Sequence, residues 1–144
     1  METIGSLCDK LTVVKLKQEH TTERKRLYSL TNQEKLLIKE IDEYIENAFS
    51  GKIKKNKLSF SSNKIFKEDS FRVKLIEGSF GQVISKLAET NCDIWHLQEK
   101  IYDFKKIPIE EKDLVIEKIA ILNIDRNNCI DKLDKLLIKA CKSR

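Results

Sequence analysis

The sequence predicts an all-α fold, a four-helix bundle of two antiparallel helical hairpins, on three observations. Apolar residues recur at three- and four-residue spacing over most of the chain. Glycine (4) and proline (1) are scarce, so there are few of the turns that a sandwich or barrel needs. Third, TIGSLCDKLTVVKLKQEHTTE at 3–23 aligns without gaps on SFGQVISKLAETNCDIWHLQE at 79–99, matching Gly5 to Gly81, Leu11 to Leu87, His20 to His96 and Glu23 to Glu99. Each copy precedes a turn and a second amphipathic segment, which implies two hairpins whose exposed apolar faces cover one another.

The first helix is expected over 3–28. Thr3 can cap it, and Ile4, Leu7, Cys8, Leu11 and Val14 form a stripe before the charged run KQEHTTERKR. SLTN at 29–32 reads as the turn, with Thr31 and Asn32 as caps of a second helix over 32–50. Leu37, Ile41, Tyr44, Ile45 and Ala48 form its inner stripe, and Ser50-Gly51 ends it. Residues 51–78 interrupt the helical pattern and read as a long crossover along the bundle. A third helix is expected over 79–104, with Ser79 as cap. After a turn holding Pro108, a fourth runs from 109 to 141. The whole, 1–144, reads as a single helical domain.

Net charge is +5, and its placement matters more than its size. The crossover carries Lys52, Lys54, Lys55, Lys57, Lys64, Lys67, Arg72 and Lys74 against Glu68, Asp69 and Glu77, so it holds the entire excess. The rest of the chain is neutral, and nucleic acid is not an expected partner despite the interleaved Phe60, Phe66 and Phe71. No apolar run is long enough to span a membrane, and the N-terminus lacks the pattern of a signal peptide. Cys8, Cys92, Cys129 and Cys141 form no CxxC pair, so reduced thiols of a cytoplasmic protein are expected.

The stretch with the most chemical content is LNIDRNNCID, Leu122–Asp131. At about 100° per residue, Val115, Ile119, Leu122, Cys129, Ile130, Leu133, Leu137 and Ala140 share one face of the fourth helix, and Arg126 falls near its middle. A guanidinium there must have partners. The expected ones are Asn91 and Gln98 on the third helix and Glu99 at its edge, with Asn123, Asn127 and Asp131 flanking on the fourth and Trp95 as a wall. Such a layer is either a ligand pocket, with Arg126 as a fork for a carboxylate or phosphate, or a network that fixes helix register.

A second constellation is the repeated His-x-x-Glu, His20/Glu23 and His96/Glu99. Residues at i and i+3 share a face, and two such pairs in a bundle can bind a divalent metal and support a metal-dependent hydrolase. No P-loop, HExxH or nucleophile elbow is present. Glu110-Glu111 lacks the further acids of the MazG-type pyrophosphohydrolases.

Trp95-His96 with Gln98-Glu99, followed by Leu122-Asn123, Arg126-Asn127 and Ile130-Asp131, resembles bacterial domain-of-unknown-function family 4254, whose pattern runs Trp-His-x-acid-acid and then Leu-Asn-x-x-Arg-Asn-x-x-Ile-Asp. The resemblance covers residues 79–137, and Gln98 departs from it where an acid is usual. It implies an all-helical, cytoplasmic protein and no defined activity. A binding or scaffold module for a small anionic or polar ligand is therefore the leading functional expectation, acting as a homodimer or with a partner protein.

Overall fold

Thr3 and Ser79 begin the first and third helices in the same way. In each, the cap hydroxyl accepts from the backbone N–H three residues on, at 3.3 Å. The side chain of that residue, Ser6 or Gln82, accepts from the cap's own N–H at 2.8 and 2.9 Å. These capping boxes satisfy N–H groups that have no partner inside the helix.

The computed structural model describes residues 2–60 and 75–143. The middle of the segment expected to form a crossover, including Lys64, Phe66, Lys67, Phe71 and Arg72, lies outside the described residues. Four helices pack as a bundle: α1 (Ile4–Glu19), α2 (Arg24–Ser50), α3 (Phe80–Tyr102) and α4 (Ile109–Lys142). Gly51 closes α2 in the left-handed region at φ 81°, where a residue without Cβ is unstrained. Glu110 and Glu111 occupy the first turn of α4 and complement its dipole.

The turn of the first hairpin is not at 29–32. α1 stops at Glu19, and α2 is already helical from Arg24. The His20 N–H divides between the Leu16 and Lys17 carbonyls, each at 3.2 Å, and the β-branched pair Thr21-Thr22 follows. Thr31 caps nothing; its hydroxyl donates back to the Leu27 carbonyl inside α2 at 2.8 Å. The third and fourth helices lie within two residues of their expected spans.

α1 is the central helix and packs on α2, α3 and α4. Its Ile4 and Cys8 join Leu87, Cys129, Leu133, Leu137 and Ala48 in the main core, while Leu7 and Val14 meet Leu37 in a second cluster. Beyond α2, Leu58 docks into the main core and is 1% exposed. α3 lies along α4. No helix among the described residues is long and apolar enough to cross a membrane.

α1 meets α4 most closely at Gly5. A Cβ added there would fall well inside van der Waals contact of the Ile130 carbonyl oxygen and close to Asp134 Oδ1, whereas one at Gly81 would meet open space. The two glycines that align in the sequence thus face opposite constraints. Gly5→Ala should cost about 1–3 kcal/mol in urea unfolding, as expected for overpacking. Gly81→Ala should add about 0.5–1 kcal/mol.

Burial also pushes the Cys8 and Cys129 thiols up to about 11, with the Asp134 carboxylate adding to the effect at Cys8 and the Asp125 carboxylate at Cys129. Burial lifts the Tyr44 phenol to about 12. Each group is neutral when protonated, so the folded state holds the proton more tightly than the unfolded chain. Stability from the thiols should be fully present below about pH 8.5 and should fall by a few kcal/mol as pH rises through 11. The check is urea midpoints between pH 7 and 11. At pH 8 a thiol reagent should label half-buried Cys92 and Cys141 and spare Cys8 and Cys129.

Candidate functional site

Arg126 points inward, and its main partner is Asp9 of α1. Its Nε donates to Asp9 Oδ1 at 2.8 Å and its Nη2 to Oδ2 at 2.5 Å, a two-pronged ion pair. Asn91 Nδ2 donates to the same Oδ1 at 2.9 Å and to Thr12 Oγ1 at 2.8 Å. The Thr12 hydroxyl in turn donates to the Asp9 carbonyl at 2.8 Å. Asp9 is 4% exposed. The hydrogen bond to Asp9 holds the Arg126 guanidinium even further above its ordinary range.

Three helices therefore meet at one carboxylate. A second tie lies four residues earlier on α1, where Gly5 N–H donates to Asp134 Oδ1 at 2.7 Å. Asp134 is 2% exposed, and its charge sits at the positive end of α1. The two carboxylates peg α1 to α4 along one line.

The rest of the expected layer is dispersed. Gln98, Glu99, Asn123 and Asn127 are exposed, and Asp131 is half-buried. Glu99 does not pair with Arg126, whose fork is taken by Asp9; it lines a groove at the α3–α4 turn with Lys100, Pro108 and Glu111. Of the expected set, only Asn91 and Arg126 meet in this network. Asp9, Thr12 and Asp134 complete the ties and were not among the expected residues. Asp9 lies on the side of α1 away from the Leu7–Leu11–Val14 stripe, so a single-face reading assigns it to solvent. The signal was the presence of apolar residues on more than one side of α1, with Ile4 and Cys8 off the centre of that stripe, which marks a helix covered from several directions.

The His-x-x-Glu pairs separate in the same manner. The two histidines approach, with ring centroids 6.1 Å apart. Glu23 pairs instead with Arg26 at 2.9 Å, an exposed pair of small energetic value. Glu99 faces the turn groove. Among the described residues no group of three or more His, Cys, Asp or Glu side chains is placed to hold a metal. The spacing brought the imidazoles together but left the carboxylates on outward faces.

What gathers at the end of α1 is a different constellation. Lys17, His20 and Thr21 from α1 and its turn, Arg26, Ser29 and Leu30 from α2, and Trp95 from α3 line a cleft of about 420 Å³. His20 Nδ1 lies 2.8 Å from the Leu16 carbonyl. A carbonyl only accepts, so His20 Nδ1 carries a proton in this contact. Its ring lies against Trp95 with centroids 4.8 Å apart at 34°, which fixes an aromatic wall. Trp95 Nε1 is buried without a hydrogen-bond partner among the described residues. Lys17 forms no ion pair among the described residues.

The Asp9–Arg126 pair has a mutational signature. Arg126→Met leaves a buried carboxylate without its counter-charge and should cost roughly 3 kcal/mol, the low end for such a loss, because the guanidinium side chain is 37% exposed. Asp9→Leu with Arg126→Met should recover most of that loss, since the unpaired charge is gone. Urea unfolding of both single variants and the double variant measures the coupling. No family model, curated protein or solved structure matches the chain.

Proposed function

We propose that the protein is a non-enzymatic binding module for a small anionic ligand, held in the cleft where α1 ends against Trp95. One observation carries this: two cationic side chains, Lys17 and Arg26, converge with the hydroxyls of Thr21 and Ser29 on a cleft walled by stacked His20 and Trp95. Its volume, about 420 Å³, suits a small molecule. The cations would neutralise a phosphate or carboxylate, and the hydroxyls would donate to its oxygens. Trp95 would cover a flat or apolar portion of the ligand.

Arg126 is better assigned to the scaffold than to the ligand. Its Nε and Nη2 are both committed to Asp9. Lys10, beside it in the α1–α2 groove, reaches Glu2 at 2.5 Å. An incoming anion would have to displace a carboxylate already in place. The resemblance of residues 79–137 to an uncharacterised bacterial family implies no activity, so the chemistry of the cleft bears the proposal. The two hairpins read as an internal repeat, supported by the approach of the aligned residues His20 and His96. Four unpaired cysteines fit a reducing compartment such as the cytoplasm.

Calorimetry and thermal unfolding with inorganic phosphate, AMP, glucose 6-phosphate and citrate provide the test. At least one should bind and raise the melting temperature, by mass action. Lys17→Ala with Arg26→Ala should weaken that binding tenfold or more, while leaving the unliganded melting temperature within a few degrees. If none of the four binds wild-type protein at millimolar concentration, or if the double variant binds equally well, the cleft is not an anion site.

A further inference from the structure

Two helix faces of this chain carry opposite charge, expose apolar side chains and point outward. The first lies on the opening turns of α4. Glu110, Asp113, Leu114, Glu117 and Ile121 fall on one side of the helix by their spacing. Leu114 and Ile121 are 50% and 40% exposed. Asp113 and Glu117 are like charges at i and i+4, a spacing that weakens an isolated helix.

The second face lies on the first half of α2. Arg24, Tyr28, Lys35, Ile38 and Lys39 share a side by the same geometry. Tyr28 is 73% exposed and Ile38 44%. Lys35 and Lys39 repeat the like-charge i, i+4 arrangement with the opposite sign. The nearby acid Glu43 reaches Lys39 only at 3.8 Å, with both side chains mostly exposed.

We propose that these faces are the two halves of one interface, and that the occupant of each is a second copy of this chain. The argument is charge complementarity. An acidic face interrupted by two aliphatic side chains matches a basic face interrupted by an aromatic and an aliphatic one. Among the described residues the two faces do not lie against one another, because α2 packs along α1 while α4 packs along α3 and α1. Pairing α2 of one copy with α4 of the other, and the reverse, forms a closed two-fold contact with each face used once. It relieves both like-charge stripes and removes the four apolar side chains from water. This surface does not depend on the anion cleft.

Light scattering after size exclusion tests the assignment at 200 μM protein in 50 mM salt. Wild type should run as a dimer, twice the 16.8 kDa chain mass, and should shift toward monomer in 500 mM salt as the charges are screened. K35E/K39E and D113K/E117K should each be monomeric alone, with wild-type helical content by circular dichroism. Mixed one to one, they should form a heterodimer, because reversing both faces restores complementarity. A wild-type monomer under these conditions overturns the proposal. So does a dimer that persists in both reversed variants, or failure of the two folded variants to associate. If a reversed variant does not fold, the salt dependence of the wild-type dimer decides: a dimer indifferent to salt is not held by these faces.

Discussion

The ion pair between Asp9 and Arg126 is the constraint on which the arrangement of the helices depends. A carboxylate at 4% exposure is tolerated only if its oxygens are saturated and its charge is met. Here Oδ1 accepts from Arg126 Nε and Asn91 Nδ2, and Oδ2 accepts from Arg126 Nη2. The donors come from α3 and α4, and the acceptor from α1. Sliding α1 by one turn along α4, about 5.4 Å, would break all three bonds and strand both charges. Apolar packing tolerates such sliding better, because one aliphatic contact can replace another. The polar network therefore specifies register, while the surrounding core supplies most of the cohesion. Asp134 on Gly5 N–H reinforces the same register, and close approach at Gly5 leaves no space for a shifted α1.

Fixing α1 in this way also fixes where it ends. From Asp9 the helix runs on to Glu19, and His20 closes it against Trp95. The cleft is assembled from that terminus, the chain reversal and the first turns of α2. Lys17 points into it from the last turn of α1, where a cation also complements the helix dipole. The interior clamp and the terminal cleft are thus linked through one rigid helix of 16 residues. A shift of the clamp would move Lys17 and His20 relative to Trp95.

Much of the fold was legible because helices announce themselves locally. The Thr3 and Ser79 caps, the Gly51 stop and the turn at Pro108 are one- to four-residue signals, and each stands where the sequence places it. The 29–32 turn was misread because Thr31 and Asn32 have two uses, capping a helix or back-bonding within one. Neighbouring sequence does not decide between them, whereas the termination of α1 against α3 does. The site was less legible for a related reason. That Arg126 must turn inward with partners followed from its place on an apolar face. Which residues meet it depends on which helix crosses at that height. Asp9, 117 positions away in sequence, sits on a side of α1 that looks polar until α3 and α4 cover it. Gln98 and Glu99 had suitable chemistry and neighbouring positions, but lie on exposed parts of α3.

Charge neutrality separates the two polar regions by role. At the Asp9–Arg126 crossing, one acid faces one base with geometry that uses both prongs. The nearby Lys10 is matched by Glu2. There the Arg126 fork is already filled, and an incoming anion would have to displace the Asp9 carboxylate. At the end of α1 the balance is different. Lys17 stands without an ion pair among the described residues, and Arg26 is met only by the exposed Glu23. A surface pair of that kind is worth little and exchanges readily with solvent ions. The buried region is polar because three helices must be aligned, and the cleft is polar with charge unspent. That asymmetry, rather than the presence of an arginine, is what separates the structural network from the cleft proposed as an anion site.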